Sequence, residues 1–155
     1  MSQRKHIVKR QQLKPLWRCP KCGARLVTKN MWHSCGRYTL EELFARSEPH
    51  VFTLFEKFAG MVRACGPVTM VPQKTRVVFM VRVRFAAVYP RRTYILVGLG
   101  LSRTLDSARI KKREEYASHF IGHMMEIHSH EELDRELHGW LRESFAVGQQ
   151  KFLLR

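Results

Sequence analysis

Two long stretches of this chain contain no carboxylate. Residues 1–40 hold ten Lys or Arg and no Asp or Glu, and residues 57–105 hold nine and again none. Divalent ions that cleave phosphodiesters are held by carboxylates. A centre of that kind would have to join Glu41, Glu42, Glu48 or Glu56 to acids beyond residue 105, and no Asp…Glu-x-Lys arrangement offers one. Gly-x-Ser-x-Gly elbows and Gly-rich phosphate loops are also missing. His130-Glu131 opens like a zinc-protease motif, but Asp134 stands where the second His belongs. These gaps lead us to expect a binding protein rather than an enzyme.

Long apolar runs are equally scarce. No segment reaches the roughly 18 apolar residues that a membrane-spanning helix needs, so no membrane role is expected. The basic start is followed by no apolar secretory core, and the cysteines number only four. Thiols in metal-ligand spacing point to a reducing, cytoplasmic setting.

What the chain does have is positive charge, a formal net +15 over 155 residues. It is uneven. Residues 41–56 carry four Glu against one Arg, and residues 106–155 are nearly balanced. The excess therefore sits at the front and in the middle, a distribution that attracts polyanions and speeds their encounter. Nucleic acid is the expected partner, with a generally basic, soluble protein as the plainer alternative. Lys74, Arg76, Arg82, Arg84, Arg91 and Arg92 are the candidate phosphate-binding residues. Tyr89 and Tyr94 lie near enough in sequence to stack a base.

The most specific motif is Cys19-Pro-Lys-Cys22-Gly, answered by His33-Ser-Cys35-Gly. Two thiols two residues apart, closing on a turn at Gly23, present both sulfurs to one ion. On extended backbone, residues i and i+2 share a face, so His33 and Cys35 supply the other two ligands. A closed four-ligand shell of Zn(2+) is structural and leaves no open position for substrate. The alternatives are a redox dithiol or simply reduced thiols. His6 is the spare ligand. Cys65 reads as a small buried residue, and Trp17 and Trp32 as packing over a module with little core of its own.

The remainder reads as one domain. With 45% hydrophobic residues, a chain of this length buries roughly two-thirds of its unfolded surface. Thr39-Leu-Glu-Glu42 forms a capping box opening a short helix with Leu40, Leu43 and Phe44. A second helix starts at Ser47-Glu-Pro49, buries Val51, Leu54, Phe55, Phe58 and Val62, and stops at Gly66-Pro67. Strands are expected at 68–71, 75–85 and 93–101, joined across Tyr89-Pro-Arg-Arg92, with Pro90 in the connection. In the long strand Val77, Phe79, Val81, Val83 and Phe85 share one face; Arg76, Val78, Met80, Arg82 and Arg84 share the other. Gly98 and Gly100 mark a bulge or a close approach to the backbone. Residues 103–115 read as a loop with a helical turn, and His119–His128 as the last strand. Ser129-His-Glu-Glu132 is a second capping box, leading a helix with Leu133, Leu137, Trp140, Leu141 and Phe145. His119 with His123, and His128 with His130, offer a second metal pair or, more simply, a His-rich strand edge.

The expected fold is therefore α+β: a two-layer domain at 39–150 with helices on one face of an antiparallel sheet of three to five strands. A basic, zinc-ribbon-like module at 1–38 precedes it. Cys-Pro-Lys-Cys-Gly…Trp-His-Ser-Cys-Gly, Gly66-Pro-Val68, Lys74-Thr75 running to Phe79, Phe85-Ala-Ala-Val-Tyr-Pro-Arg-Arg92 and Glu131-Glu-Leu-Asp134…Trp140-Leu141 together resemble a bacterial and archaeal domain of unknown function. That domain is sometimes labelled a "predicted transport protein" domain. The resemblance covers roughly residues 15–148. It implies a zinc-bearing N-terminus, a compact α+β domain and relatives fused to nuclease-like or uncharacterised modules.

Two functional readings follow. In the first, the zinc module and the Arg-bearing sheet face grip nucleic-acid phosphates with low sequence specificity. In the second, Tyr94, Lys74 and the Gly98–Gly100 face line a small-molecule site, and the zinc knuckle docks a protein partner. A regulatory component of a nuclease or defence system follows from the resemblance by analogy alone.

Overall fold

Apolar residues recur on one side of each long segment, and the elements they form all turn that side inward. The computed structural model describes residues 13–154. A two-stranded hairpin, β1 (Trp17–Arg18) with β2 (Arg25–Leu26), opens the described chain. Helices α1 (Leu40–Phe44) and α2 (Pro49–Cys65) follow. Then come β3 (Thr69–Pro72), β4 (Val77–Met80), β5 (Arg84–Pro90), β6 (Ile95–Leu101), β7 (Lys112–Ala117), β8 (Phe120–Ile127) and α3 (Arg135–Gly148). Among the described residues, six strands form one antiparallel sheet in the order β3-β4-β5-β6-β8-β7. The helices cover one face of it, as expected for an α+β domain.

Register decides which residues meet the helices. Val77 pairs with Val88, Phe79 with Ala86, Val97 with Val88 and Met125, and Ile95 with Ile127. These residues are buried in one core with Val51, Leu54, Phe55 and Phe58 of α2 and Leu137, Leu141 and Phe145 of α3. The helix starts are secured as their sequences require. Thr39 Oγ1 accepts the Glu42 amide, Pro49 occupies the first turn of α2, and Asp134 accepts the Leu137 amide at the start of α3. Ser129 and Glu132 do form a capping box, but it closes a 3-10 turn at His130–Glu132, and α3 begins only after Asp134.

Four expectations are corrected. Residues 75–85 are a hairpin rather than one strand: β4 ends at Met80, a bulge shifts the register between Phe79 and Met80, and β5 starts at Arg84. The turn is held from a distance, because the Gly148 carbonyl at the end of α3 accepts both the Arg82 and Val83 amides, at 2.9 and 3.1 Å. Gly148 has to be glycine there, since a Cβ would lie 2.4 Å from the buried Phe85 ring. The segment 103–115 is only partly loop, because β7 begins at Lys112 and forms the sheet edge. Six strands therefore replace the expected three to five. Pro90 is the last residue of β5, opposite Ile95, rather than a residue of the connection.

The opposite sheet face carries the Cys/His module at one corner. Ala24 and Leu26 pack on Val71 of β3 and Met80 of β4, with Trp17 and Met31 half-buried around them. Farther along that face, the side chains of Met124, Phe120 and Tyr116 lie over Gly98, Gly100 and Gly122 respectively. The close approach expected at Gly98 and Gly100 is therefore made by the chain's own side chains, and this stretch of the face is not an open ligand site.

Candidate metal centre and adjoining cleft

Tight turns bring the four expected ligands together. Gly23 and Gly36 adopt positive φ of 77° and 76°, and Cys35 itself sits at 50°, backbone that glycine adopts freely and other residues adopt at some cost. The Gly23 amide donates to the Cys19 carbonyl and the Cys19 amide to the Ala24 carbonyl, both at 2.8 Å, closing the first knuckle. One ligand atom from each of Cys19, Cys22, His33 and Cys35 lies within 4.8 Å of every other. The Cys19 and Cys35 sulfurs are 3.8 Å apart.

The surroundings prepare these atoms to bind a cation. Amides of Cys22 and Lys21 point at the Cys19 sulfur and hold its thiol down to about 6, with the Cys22 amide the larger influence. Burial pushes the Cys35 thiol up, and the neighbouring sulfurs of Cys19 and Cys22 add to the rise. His33 Nδ1 lies 3.3 Å from the Met31 carbonyl, which can only accept, so this nitrogen carries the proton. That tautomer leaves the Nε2 lone pair free, and Nε2 is buried with no hydrogen-bond partner. An orphaned buried acceptor facing three thiols fits a metal ion, and the carbonyl-held imidazole is the usual way such a ligand is oriented. Among the described residues this is the one group of His, Cys, Asp and Glu able to hold a metal. The spare ligand His6 lies outside the described residues.

The other candidates fall elsewhere. Cys65 is half-buried and donates to the Met61 carbonyl; burial pushes its thiol up. Trp17 packs in the module as expected, but Trp32 does not cover the metal group: it is 76% exposed. His128 stacks on Tyr94 with ring centroids 4.6 Å apart, which occupies the Tyr94 face.

His123 is a core residue, fully buried between β6 and β7. Its Nε2 accepts the Leu105 amide at 3.0 Å, so Nδ1 carries the proton and donates to the Ile121 carbonyl at 2.9 Å. Burial lowers its pKa below the ordinary 6.5, and the nearby Arg113 and Arg103 charges lower it further. The unfolded chain therefore binds this proton more readily than the folded one. The stability that neutral His123 contributes is present above about pH 6.5 and is lost as the pH falls from there toward the depressed folded value. Urea unfolding at pH 7.5 and 5.5 should show the wild type losing more stability on acidification than His123→Gln. Equal losses would assign the pH dependence to other groups.

The phosphate-binding candidates do not share one face. The β4–β5 turn places Arg82 and Arg84 at one end of that hairpin, where Arg82 donates to Gln150 and to the Lys14 carbonyl. The β3–β4 and β5–β6 turns place Lys74, Arg76, Arg91 and Arg92 at the other end. The latter turn is anchored to the start of α2, since its Arg91, Arg92 and Thr93 carbonyls accept from Ser47 Oγ, the Glu48 amide and His50 Nε2.

Beside the metal group, this second end closes around a cleft of about 570 Å3. Trp32, Arg37, Tyr38, Lys74, Arg76 and Tyr89 line it, and none of its ten described lining residues is acidic. Arg76 is held by Gln73 Oε1 and the Tyr89 hydroxyl, both at 2.9 Å. Arg37 lies over Tyr38 at 5.5 Å, and Arg91 over Tyr89 at 5.9 Å. Sequence reasoning supplied Lys74, Arg76 and Tyr89 but missed Trp32, Arg37 and Tyr38 as cleft residues. The signal available for the last three was only their closeness to the His33 and Cys35 ligands.

Comparison with known families shows that the one described as "Domain of unknown function (DUF5655)" matches residues 40–148. The metal-ligand motif lies ahead of the matched region. No curated protein and no solved structure matches the chain. Among the described residues, no helix is long and apolar enough to cross a membrane.

Proposed function

Since the chain belongs to this family of unknown function, its role must come from its own side chains, and we propose a non-enzymatic, zinc-stabilised protein that binds nucleic acid with little sequence readout. The observation that carries this reading is the acid-free cleft, where cations alternate with aromatic rings beside a rigid metal-ligand group. Phosphates are attracted by Lys74, Arg76 and Arg37, and the exposed Trp32 ring offers surface to bases of any sequence.

Zinc is favoured by the ligand set and by its spacing. Four tetrahedral bonds of about 2.3 Å to sulfur set sulfurs about 3.8 Å apart, matching the observed 3.8 Å between Cys19 and Cys35. Three thiols and one imidazole fill the shell, so the ion would serve the fold and leave no site for a reacting water.

Binding measured by fluorescence anisotropy should weaken steeply with salt, because neutralised phosphates release condensed counterions. Lys74→Gln with Arg76→Gln should lower the logarithmic slope by about 2, roughly one for each lost phosphate contact. Arg82→Gln should change it less, since Arg82 lies at the other end of the hairpin and does not line the cleft. Undetectable or salt-insensitive binding to single-stranded DNA, duplex DNA and RNA would remove the reading.

A further inference from the structure

The cleft says more than that anions are welcome. A large indole with three-quarters of its surface in water is unusual on a folded domain, because its burial elsewhere would release that water. Trp32 cannot turn inward freely, since it immediately precedes a metal-site residue: His33 is held through Nδ1 at the Met31 carbonyl, and its Nε2 faces the three thiols. Ser34, next along, donates to the Pro72 carbonyl at 2.7 Å and ties the ligand loop to β3. Pro72 leads directly into the turn that carries Lys74 and Arg76. The ligand loop and the turn it is tied to thus bring the ring and the cations to one cleft, which Tyr38 and Tyr89 also line.

From this arrangement we infer that the cleft takes an unpaired nucleotide of a single strand, its base stacked on Trp32 and its phosphates met by Lys74 and Arg76. The step rests on the nucleic-acid reading above and adds strand selectivity to it. A duplex shows proteins its phosphates and the edges of its bases, while the base faces are stacked away. Such a ligand could use the cations but would leave Trp32 idle. A splayed base presents a free π-face, and aromatic rings between cations are how strand-selective sites hold one without reading its identity. The volume, about 570 Å3, falls within the range of small-ligand sites rather than of broad docking surfaces.

The test uses the full-length, metal-loaded protein with a ten-residue oligo(dT), a duplex of equal phosphate number, and thymidine monophosphate. The inference expects tighter binding to oligo(dT) than to the duplex or the monophosphate, with quenched tryptophan fluorescence. Trp32→Ala should weaken oligo(dT) binding about 5- to 150-fold, the range measured for loss of one base–aromatic stack, and abolish the quench. Trp32→Phe should restore much of the affinity, and duplex binding should be unchanged in both variants. Because Trp32 is exposed, neither variant should disturb folding. Equal binding of oligo(dT) and duplex, indifferent to Trp32, would overturn this inference and leave the nucleic-acid reading standing. A monophosphate that binds as tightly as the oligomer would also overturn it. Failure of all nucleic-acid probes would remove both.

Discussion

Replacing Cys35 by Ser should release the bound metal and open residues 13–38 to trypsin while residues 40–148 stay folded. The module has little else to hold it. Its buried apolar residues are Cys19, Ala24 and Leu26, with Trp17 and Met31 only half-covered. Ordering backbone costs about 1–2 kcal/mol per residue, so a segment of this length needs far more than two or three buried side chains return. In zinc-finger peptides the binding of zinc, net of the ordering it drives, is favourable by about 10–16 kcal/mol, so an ion can hold a module that its core cannot. Trypsin has sites at Arg18, Lys21, Arg25, Lys29 and Arg37, so mapped cleavage reports directly on the module. Metal analysis should find one ion per wild-type chain and less than one in the variant. A metal-free variant that still resists cleavage across 13–38 would refute the assignment of a structural site.

Chelation should have a second consequence for the same reason. Trp32 and Arg37 flank the metal group, so loosening the loop should remove their side of the cleft while Lys74 and Arg76 remain on their sheet turn. Residual binding would then be electrostatic and weak.

How much of this was legible beforehand depends on whether the cause is local. The ligands of the metal group were, because knuckle turns and i, i+2 spacing are local geometry. Helix α2 was too: Val51, Leu54, Phe55, Phe58 and Val62 recur at the helical period and all are buried. The turn at 81–83 was not. Val81 and Val83 continue an alternation that had begun at Val77, and no Gly, Pro or Asn interrupts it. What breaks the strand is a carbonyl of Gly148, supplied by α3 from the far end of the chain. Strand β7 was hidden for the opposite reason, since all six of its residues are exposed and no apolar alternation announces an edge strand. The cleft shares this difficulty. Its walls come from the metal loop, the β3–β4 turn and the end of β5, and no local spacing connects them. Trp32 shows the cost: beside a metal ligand, an aromatic residue is easily read as packing, and only the path of the loop puts its ring into water.

Phe79→Ala should be among the most damaging single changes within the α+β domain, costing about 3–5 kcal/mol, the usual range for deleting a buried aromatic ring. Phe79 is fully buried on β4, with its ring centroid 5.8 Å from that of Phe58 and 6.3 Å from that of Phe55. Through these two rings it joins the sheet to α2. Phe55 in turn contacts Phe44 of α1 at 5.0 Å, so the vacancy would open at the junction of both helices and the sheet. Collapse to fill it is obstructed on the strand side. The register shift immediately after Phe79 is fixed by the Gly148 clamp on Arg82 and Val83, so β4 cannot slide inward without releasing that turn. A natural domain has only about 5–15 kcal/mol to lose. Urea unfolding should therefore show a midpoint moved far down with an unchanged slope, while the metal content of the variant stays at the wild-type level. A loss below about 1.5 kcal/mol, the scale of well-tolerated volume-conserving swaps, would mean that α2 does not lean on this ring and that the sheet–helix core is organised around another residue.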